Sequence, residues 1–285
     1  SAEAAPRKGE EAVRTRTIAI ANQKGGTGKS TTAASLGIAL SMRGKRVLLV
    51  DADPQGDLTT SLGWDPDRLE TTLSTHLEKS MLDEPFPPLE GVLRHKEGVD
   101  LMPANIDLSA ADMALVNAMS REHALKTWLD EAKRGYDYVL IDCPPSLGMM
   151  TVNALTAADG VLIPVQAQFL PAKGMTQLIK TIGRVRRRIN PSLAIEGVLI
   201  TLVDARTNLA CRTEENIRAE YGGAIKVFES TVPMATRAAE APAFGESVFS
   251  VDRSGKVAAA YAALAKEVIA DAPRERDTLQ SAVCR

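Results

Sequence analysis

Short apolar runs alternate with longer helical patterns along most of this chain, and that alternation limits the folds open to it. Several runs are apolar at every position, as in parallel strands whose sheet is covered on both faces. The alternation predicts an α/β fold, a doubly wound and mostly parallel sheet with helices on both faces. The predicted strands are 16–21, 46–51, 100–104, 138–142, 160–165, 194–201 and 225–230, and the predicted helices are 29–43, 107–134, 172–189, 208–221 and 254–270.

One domain is predicted over residues 16–271, since a chain of 285 residues is within the usual range of a single α/β domain. Residues 1–15 are polar and aperiodic, which is typical of a flexible tail. Residues 272–285 lack an apolar face and predict a second tail. Inside the domain, 65–98 is rich in Pro, Asp and Glu and predicts a helical insertion with long loops.

Composition narrows the class of protein. The net charge is -2, so any binding of nucleic acid must come from a local basic patch. Cys143, Cys211 and Cys284 are far apart and form no C-x-x-C, which argues against a zinc site or a disulfide framework. No apolar run is long enough to span a bilayer, and the first residues lack the apolar core of a signal peptide. We therefore expect a cytoplasmic protein without a membrane partner.

The stretch ANQKGGTGKSTTAA (21–34) follows a predicted strand and opens a predicted helix, the context in which a phosphate-binding loop is credible. Its glycines lack Cβ, so their N–H groups can turn towards phosphate oxygens, and the helix N-terminus adds further donors. By the mechanics of such loops, Lys29 reaches the β- and γ-phosphates and the Ser30 hydroxyl ligates Mg²⁺. The predicted nucleotide contacts here are Lys24, Gly25, Gly26, Thr27, Gly28, Lys29, Ser30 and Thr31.

Lys24 is a second lysine at the front of the loop, where a cation can point outward. The pattern KGGTGKST resembles the deviant Walker A motif of the ParA/MinD family of dimerising ATPases, which are deviant P-loop NTPases. The resemblance implies ATP and Mg²⁺ as cofactors and a dimer that forms on ATP binding. It also implies that Lys24 reaches across that dimer and stabilises transition-state charge, as an arginine finger does.

Three aspartates follow predicted strands at the end of the sheet where α/β proteins bind ligands. The segment DADPQG resembles the family's switch I, which implies that Asp53 orients or deprotonates the attacking water and that Asp51 lies near the Mg²⁺ shell. The alternative is a pair of strand-ending aspartates that make turn hydrogen bonds. Asp142 ends the strand YVLID and predicts a Walker B acid that holds Mg²⁺ through water. Lys24, Lys29 and Asp53 are the expected catalytic residues.

Other reactive side chains near these strands have a plainer interpretation. Cys143 follows Asp142, but no histidine lies near it in the sequence, so we expect a small buried residue rather than a nucleophile. The three histidines, His76, His95 and His123, are expected to be surface or packing residues.

Two later segments resemble the part of the family that surrounds the base. LVDARTNLA (202–210) resembles the segment that closes over it, and 230–248 resembles the signature I-P-R-x-x-x-x-x-E-A-P-x-x-G. The resemblance adds Asn208, Pro233 and Pro242 to the nucleotide contacts and favours ATP over GTP, as does the lack of an N-K-x-D guanine motif. The chain departs from the family pattern at Met234, which replaces arginine, and at Gln168, which replaces glutamate.

From Lys173 to Asn190 the chain has six cations and no acid. The apolar spacing turns Leu178, Ile182, Val185 and Ile189 inward and most of the arginines outward. Such a face can follow DNA phosphates without reading bases, and the alternative is an ordinary solvated helix face. The candidate DNA contacts are Arg184, Arg186, Arg187, Arg188, Arg206, Arg212 and Arg237, with Arg218 as a further possibility.

The resemblance, which covers about residues 16–270, is closest to ParA/Soj-type partition ATPases without an N-terminal helix-turn-helix. It implies an ATP-sandwich dimer that binds DNA nonspecifically, associates with the nucleoid and segregates a plasmid, chromosome or mobile element. A ParB-like DNA-bound activator would stimulate hydrolysis. One alternative is a MinD-like or polar-positioning ATPase that localises a protein assembly. Another is an iron–sulfur reductase or metal-cluster carrier, although the cysteines supply no convincing pair.

Overall fold

An eight-stranded sheet forms the centre of the protein in the computed structural model, which describes residues 14–167, 172–204 and 206–271. The strand order is β3-β4-β2-β5-β1-β6-β7-β8, and every neighbouring pair is parallel except β3 with β4. The predicted doubly wound α/β fold is confirmed. The strands are β1 (Arg16–Ile20), β2 (Val47–Asp51), β3 (Leu93–Arg94), β4 (Val99–Met102), β5 (Tyr138–Asp142), β6 (Gly160–Gln166), β7 (Ala194–Val203) and β8 (Val227–Pro233).

Helices cover both faces of this sheet. In chain order they are α1 (Lys29–Ser41), α2 (Asp57–Ser61), α3 (Leu73–Met81), α4 (Leu108–Leu115), α5 (Ala124–Ala132), α6 (Met149–Ala157), α7 (Ala172–Arg188), α8 (Asn208–Tyr221), α9 (Thr236–Glu240), α10 (Val248–Val251) and α11 (Lys256–Ala270). Short 3₁₀ turns lie at Pro66–Arg68 and Ala241–Phe244.

The core has two layers, one on each face of the sheet. Along β1, Ile18 and Ile20 face the layer under α1 and α11, whereas Ala19 and Ala21 face the layer under α3 to α8. Alternation of this kind follows from the two-residue period of a strand. Because every central strand is buried on both faces, the runs are apolar throughout, as the sequence predicted.

The predicted helix over 107–134 is wrong, because the chain forms α4 and α5 with a break between them. Ser120 sits in the break with a left-handed φ of 50°. Asn153 of α6 fills the gap, since its side chain donates to the carbonyl of Arg121 at 2.8 Å and accepts from the N–H of Leu125 at 3.1 Å. A hydrogen bond from a distant helix therefore replaces the one that a continuous helix would have made. Helices α2, α6, α9 and α10 and strand β3 were not predicted.

Candidate nucleotide site

The segment 21–28 forms a loop between β1 and α1, at the carboxyl edge of the sheet. Gly26 and Gly28 adopt left-handed φ values of 68° and 82°, a region in which side chains with a Cβ are strained. Gly28 is the N-cap of α1 and supplies no side-chain cap, so the first N–H groups of the helix remain available to an anion. The loop therefore has the backbone of a phosphate cradle.

Side chains outside the glycine pattern hold this loop, and sequence reasoning missed them. Asn22 donates to the carbonyl of Pro164 at 2.6 Å and accepts from the N–H of Lys24 at 3.0 Å. The Thr201 hydroxyl donates to the carbonyl of Thr27 at 2.9 Å, and the amide of Gln166 donates to that of Gly26. These partners come from the ends of β6 and β7, so only the sheet order could have revealed them.

The two lysines of the loop lie in different settings. Lys29 is buried, with 7% of its surface exposed, and lies close to the carboxylates of Asp53 and Asp142. Lys24 is exposed, and its ammonium donates to Oε1 of Gln166 at 3.3 Å. One lysine thus points into the site and the other lies at its rim.

The aspartates at the ends of β2 and β5 are neighbours. Asp51 and Asp142 are paired in the strand register, and both are fully buried. Asp51 accepts from Asp53 N–H at 3.2 Å, and its other oxygen accepts from the N–H and hydroxyl of Thr59 at 2.9 and 2.7 Å. Neither carboxylate oxygen of Asp142 has a hydrogen-bond partner among the described residues.

Burial and mutual repulsion raise the pKa of these acids. Burial raises the pKa of Asp51 to about 7, against the lowering effect of its hydrogen bonds from Thr59. Burial and the charge of Asp51 raise the pKa of Asp142 well above its usual range, and the nearby Ser30 hydroxyl opposes this without meeting hydrogen-bond geometry to either oxygen. Burial likewise raises the pKa of Asp53, and Lys29 opposes it.

These residues fit a divalent cation. Two unpartnered carboxylate oxygens beside a serine hydroxyl are the oxygen donors that Mg²⁺ prefers, and a cation there would offset the repulsion between the buried acids. Cys143, next along the chain, is fully buried, and burial raises the pKa of its thiol. It is the small buried residue that the sequence predicted.

The two segments expected around the base lie side by side. β7 and β8 pair Val203 with Pro233, and the N–H of Met234 donates to the carbonyl of Val203 at 3.0 Å. Leu202, just before the turn, has a left-handed φ of 54°. Pro242 lies in the following 3₁₀ turn. The side chain of Asn208 and all of Gln168 lie outside the described residues.

This second segment also touches the turn after α2. A Cβ on Gly245 would come within 2.5 Å of Cα of Gly63, and a Cβ on Gly63 would come within 3.1 Å of the carbonyl oxygen of Gly245. Both glycines have positive φ, 93° at Gly63 and 62° at Gly245. The backbone that follows Asp53 therefore packs directly on the proline-containing loop.

Basic side chains of α7 and α8 lie on one face of the sheet, because the buried residues of both helices join the same core layer. Leu178, Ile182 and Val185 are buried as predicted. Of the candidate DNA contacts, those that are exposed and form no ion pair in the described part of the chain are Arg184, Arg186, Arg187, Arg188, Arg212 and Arg237. Arg206 instead pairs with Asp204 at 2.9 Å, and Arg218 pairs with Glu214 at 3.1 Å.

The histidines divide as surface and packing residues. His76 is fully buried and stacks on Trp128 with a centroid distance of 5.6 Å. His95 is buried against the edge of Trp64, whereas His123 is exposed.

Comparison with known proteins places this geometry in a family. A family model described as an AAA domain matches residues 15–195. The chromosome partitioning protein ParA of Caulobacter vibrioides is 44% identical over 265 residues, which cover 92% of this chain and 96% of that protein. The sporulation initiation inhibitor protein Soj of Bacillus subtilis is 42% identical over 89% of this chain and 98% of its own length. The chain belongs to the ParA/MinD family of P-loop ATPases.

Solved structures agree with the ParA/MinD assignment. A protein from Mycobacterium smegmatis, named cobyrinic acid a,c-diamide synthase, was solved with an ATP analogue and magnesium; it is 40% identical, covers 89% of this chain and 93% of its own, and has a TM-score of 0.77. MinD of Pyrococcus horikoshii, solved with Mg-ADP, shares the fold at a TM-score of 0.68. Within the described ranges, none of the helices of this ParA/MinD member is long and apolar enough to cross a membrane.

Proposed function

We propose that the chain is a ParA-type partition ATPase that hydrolyses ATP with Mg²⁺. The observation that carries the proposal is Asp142, a fully buried carboxylate without hydrogen-bond partners among the described residues, set beside Ser30 and Lys29 at the start of α1. A buried carboxylate is stabilised by a bound cation, because a buried charge without a partner is costly. The N–H groups of the glycine loop in front of it are stabilised by a bound anion. Mg²⁺-ATP supplies both.

Each residue then has a role in hydrolysis. Lys29 and the N–H groups of 25–30 bind the β- and γ-phosphates, and Ser30 and Asp142 hold the cation, which neutralises phosphate charge when bound. Asp53, buried beside Lys29 with its pKa raised by that burial, orients water and accepts its proton. Asp51 accepts a hydrogen bond from the N–H of Asp53 and so helps to hold Asp53 in place.

Lys24 suits a contact to a second subunit. It is exposed at the rim of the loop while Lys29 occupies the interior. Lys29 therefore binds the phosphates of the nucleotide in its own subunit. Lys24 is placed to bind the phosphates of the nucleotide in a facing subunit. ATP would bridge two subunits, with Lys24 neutralising charge in trans. The dimer would form only when ATP is bound.

Nonspecific DNA binding is the proposed output of that dimer. The arginines at 184, 186, 187 and 188 are exposed along α7, with Arg212 on α8 of the same sheet face. Arginines that no acid neutralises bind phosphates by releasing counterions, without reading sequence. Arg206 and Arg218 are weaker candidates because acids already pair with them.

We further propose that the ATPase is cytoplasmic and associates with the nucleoid. A ParB-like DNA-bound protein stimulates hydrolysis and so releases the ATPase from the nucleoid, and repeated binding and release move a chromosome, plasmid or mobile element. The relatives named for chromosome partitioning support this choice over polar or MinD-like positioning. We do not propose for this chain the amide-forming activity in the name of the M. smegmatis protein, because Cys143, the cysteine next to Asp142, is fully buried and a nucleophilic thiol must reach its substrate.

The test uses two measurements, the mass of the protein by light scattering and its retention on DNA. Each is made with ATP and Mg²⁺, with ADP, and without nucleotide. A nonhydrolysable ATP analogue should give a dimer that binds DNA of any sequence, with affinity that falls steeply with salt. ADP should give a monomer that does not bind. ATP-dependent dimers that ignore DNA would favour the positioning alternative, and a nucleotide-independent dimer containing iron would favour a cluster carrier.

A further inference from the structure

The polar contacts of Thr59 on α2 extend beyond those of the residues assigned so far. Its side chain is fully buried, its N–H and hydroxyl both donate to Oδ2 of Asp51, and its hydroxyl oxygen accepts from the N–H of Ala104 at 3.1 Å. These hydrogen bonds are additional to those that form the five-residue helix α2 itself. Together they connect α2 to the ends of two strands.

We infer that Thr59 is a positioning residue for hydrolysis, acting through Asp51 on the segment that carries Asp53. The inference rests on the proposed function. Asp51 is tied to that segment at two points, since Oδ1 accepts from Asp53 N–H at 3.2 Å and Oδ2 accepts from Thr59. The carboxylate therefore closes a loop of chain over residues 53–59.

The segment between these two anchors has a fixed internal shape. Asp53 accepts from the N–H of Gln55 through its side chain at 3.1 Å and from the N–H of Gly56 through its carbonyl at 3.0 Å. Gly56 takes a left-handed φ of 65°, and a Cβ there would press on the carbonyl of Ala104 at 3.1 Å. With both ends held and the middle turned in this way, the backbone around Asp53 has little freedom.

Asp51 and Asp142 therefore have different roles although they are register partners. All the donors to Asp51 come from the protein, whereas neither oxygen of Asp142 has a partner in the described ranges. Asp142 is the acid left open to a cation, and Asp51 is the acid occupied by the Asp53 segment. Sequence reasoning grouped both with the Mg²⁺ shell because it had no view of Thr59.

The test compares Thr59→Val, which keeps the shape and removes the hydroxyl, with Thr59→Ser, which keeps the hydroxyl. Thr59→Val should lower kcat for ATP hydrolysis by about 10- to 100-fold, the usual cost of losing a residue that orients a catalytic group. Calorimetric ATP affinity should stay within about twofold, because the phosphate loop is intact. Thr59→Ser should restore most of kcat.

A second measurement does not depend on nucleotide. Hydrogen exchange of the backbone amides of 53–60 should be faster in Thr59→Val than in wild type and slow again in Thr59→Ser. Thermal unfolding identifies a variant that has lost its fold, in which case Thr59→Cys, a weaker donor of similar size, takes the place of Thr59→Val. Unchanged kcat and exchange in a folded Thr59→Val protein would overturn the inference, as would equal losses in the valine and serine variants.

Asp53→Ala separates failure of the inference from failure of the proposed function. If wild type and Asp53→Ala hydrolyse ATP equally, the proposed role of Asp53 is wrong, and with it the inference. If Asp53→Ala is inactive while Thr59→Val matches wild type, the hydrolytic site stands and only the role of Thr59 is wrong.

Discussion

The ammonium of Lys24 lies 3.3 Å from Oε1 of Gln166 in the same subunit. Gln166 also donates to the carbonyl of Gly26, so one side chain holds both the lysine and the loop behind it. The lysine proposed to act on a facing subunit is thus hydrogen-bonded to a residue of its own subunit, at the end of β6. A neutral amide attracts an ammonium less than a phosphate oxygen does, because the phosphate adds the attraction between opposite charges.

Removal of Lys24 and removal of Asp53 should produce different defects. Asp53→Ala keeps every phosphate and cation contact and loses only the group that orients water, so it should bind ATP, dimerise and remain on DNA while hydrolysis falls by about 100-fold or more. Lys24→Ala should bind ATP as a monomer and hydrolyse little, because two nucleotides would face each other without the neutralising cation.

Light scattering of both variants with ATP and Mg²⁺, beside an ATP-binding assay, distinguishes these outcomes. Gln23→Ala, a change at the neighbouring exposed residue, serves as the matched control and should dimerise normally. A Lys24→Ala protein that dimerises as well as wild type would show that this lysine makes no contact in trans.

Lys29→Ala should weaken ATP binding by about thirtyfold or more. Lys29 is the buried cation of the site, and loss of one partner of a buried charge pair costs about 2–5 kcal/mol. Calorimetry with ATP and Mg²⁺ measures the change, and a circular dichroism spectrum like that of wild type excludes misfolding. Unchanged affinity would contradict the assignment of the phosphate loop.

Charge reversal of Arg186, Arg187 and Arg188 should weaken DNA binding and reduce the slope of log affinity against log salt by about one for each phosphate that the variant no longer neutralises. Dimerisation with ATP should survive, because these exposed residues lie at the far end of α7. Reversal of Lys126, Lys133 and Arg134, which already pair with acids, is the control. Equal effects of the two triple variants would identify the α7 face as ordinary solvated surface.

Acid should destabilise the insertion through His76. Its Nε2 donates to the carbonyl of Glu90 at 2.8 Å, and its Nδ1 is buried without a partner among the described residues, so a second proton would create a buried unpaired charge. Burial accordingly lowers the pKa of His76 from the usual 6.5. The unfolded chain takes up the proton near pH 6.5 while the folded protein resists it, so stability is full above that pH and falls as the pH drops below it.

Urea unfolding of wild type and His76→Gln at about pH 7.5, 6.5 and 5.5 tests this dependence. Glutamine can still donate to Glu90 but does not titrate. The free energy of unfolding of wild type should fall relative to the variant by up to about 1.4 kcal/mol per pH unit below about pH 6.5. If the free energies of unfolding of wild type and His76→Gln change with pH in parallel, protonation of His76 does not destabilise the folded protein, and the prediction is wrong.

The central strands and the phosphate loop were predictable because they depend on local signals. Continuous apolar runs end in Asp51 and Asp142, and glycines precede Lys29, so period and turn chemistry were enough. Because parallel strands end at a shared edge, both aspartates and the loop were expected at the same end of the sheet. ParA resemblance then supplied roles that no pattern could have given.

The missed features depend on contacts between distant segments. Asn153 interrupts the helix predicted over 107–134 from a helix of its own, and Thr201 and Gln166 support the loop from strands far along the chain. Thr59 looked like any polar residue of a short helix. Each is a single hydrogen-bonding side chain with no periodicity, so its partner is known only when the strand order is known.

The contact between Gly63 and Gly245 affects how a saturation mutagenesis map of this protein would look. Each glycine has left-handed backbone, and a Cβ on either would press on the backbone of the other. Both positions should therefore reject every substitution as firmly as the glycines of the phosphate loop. In such a map they would look like two separate ligand contacts. They are instead the two sides of one backbone contact, and a change at either glycine alone cannot make room for a side chain at the other.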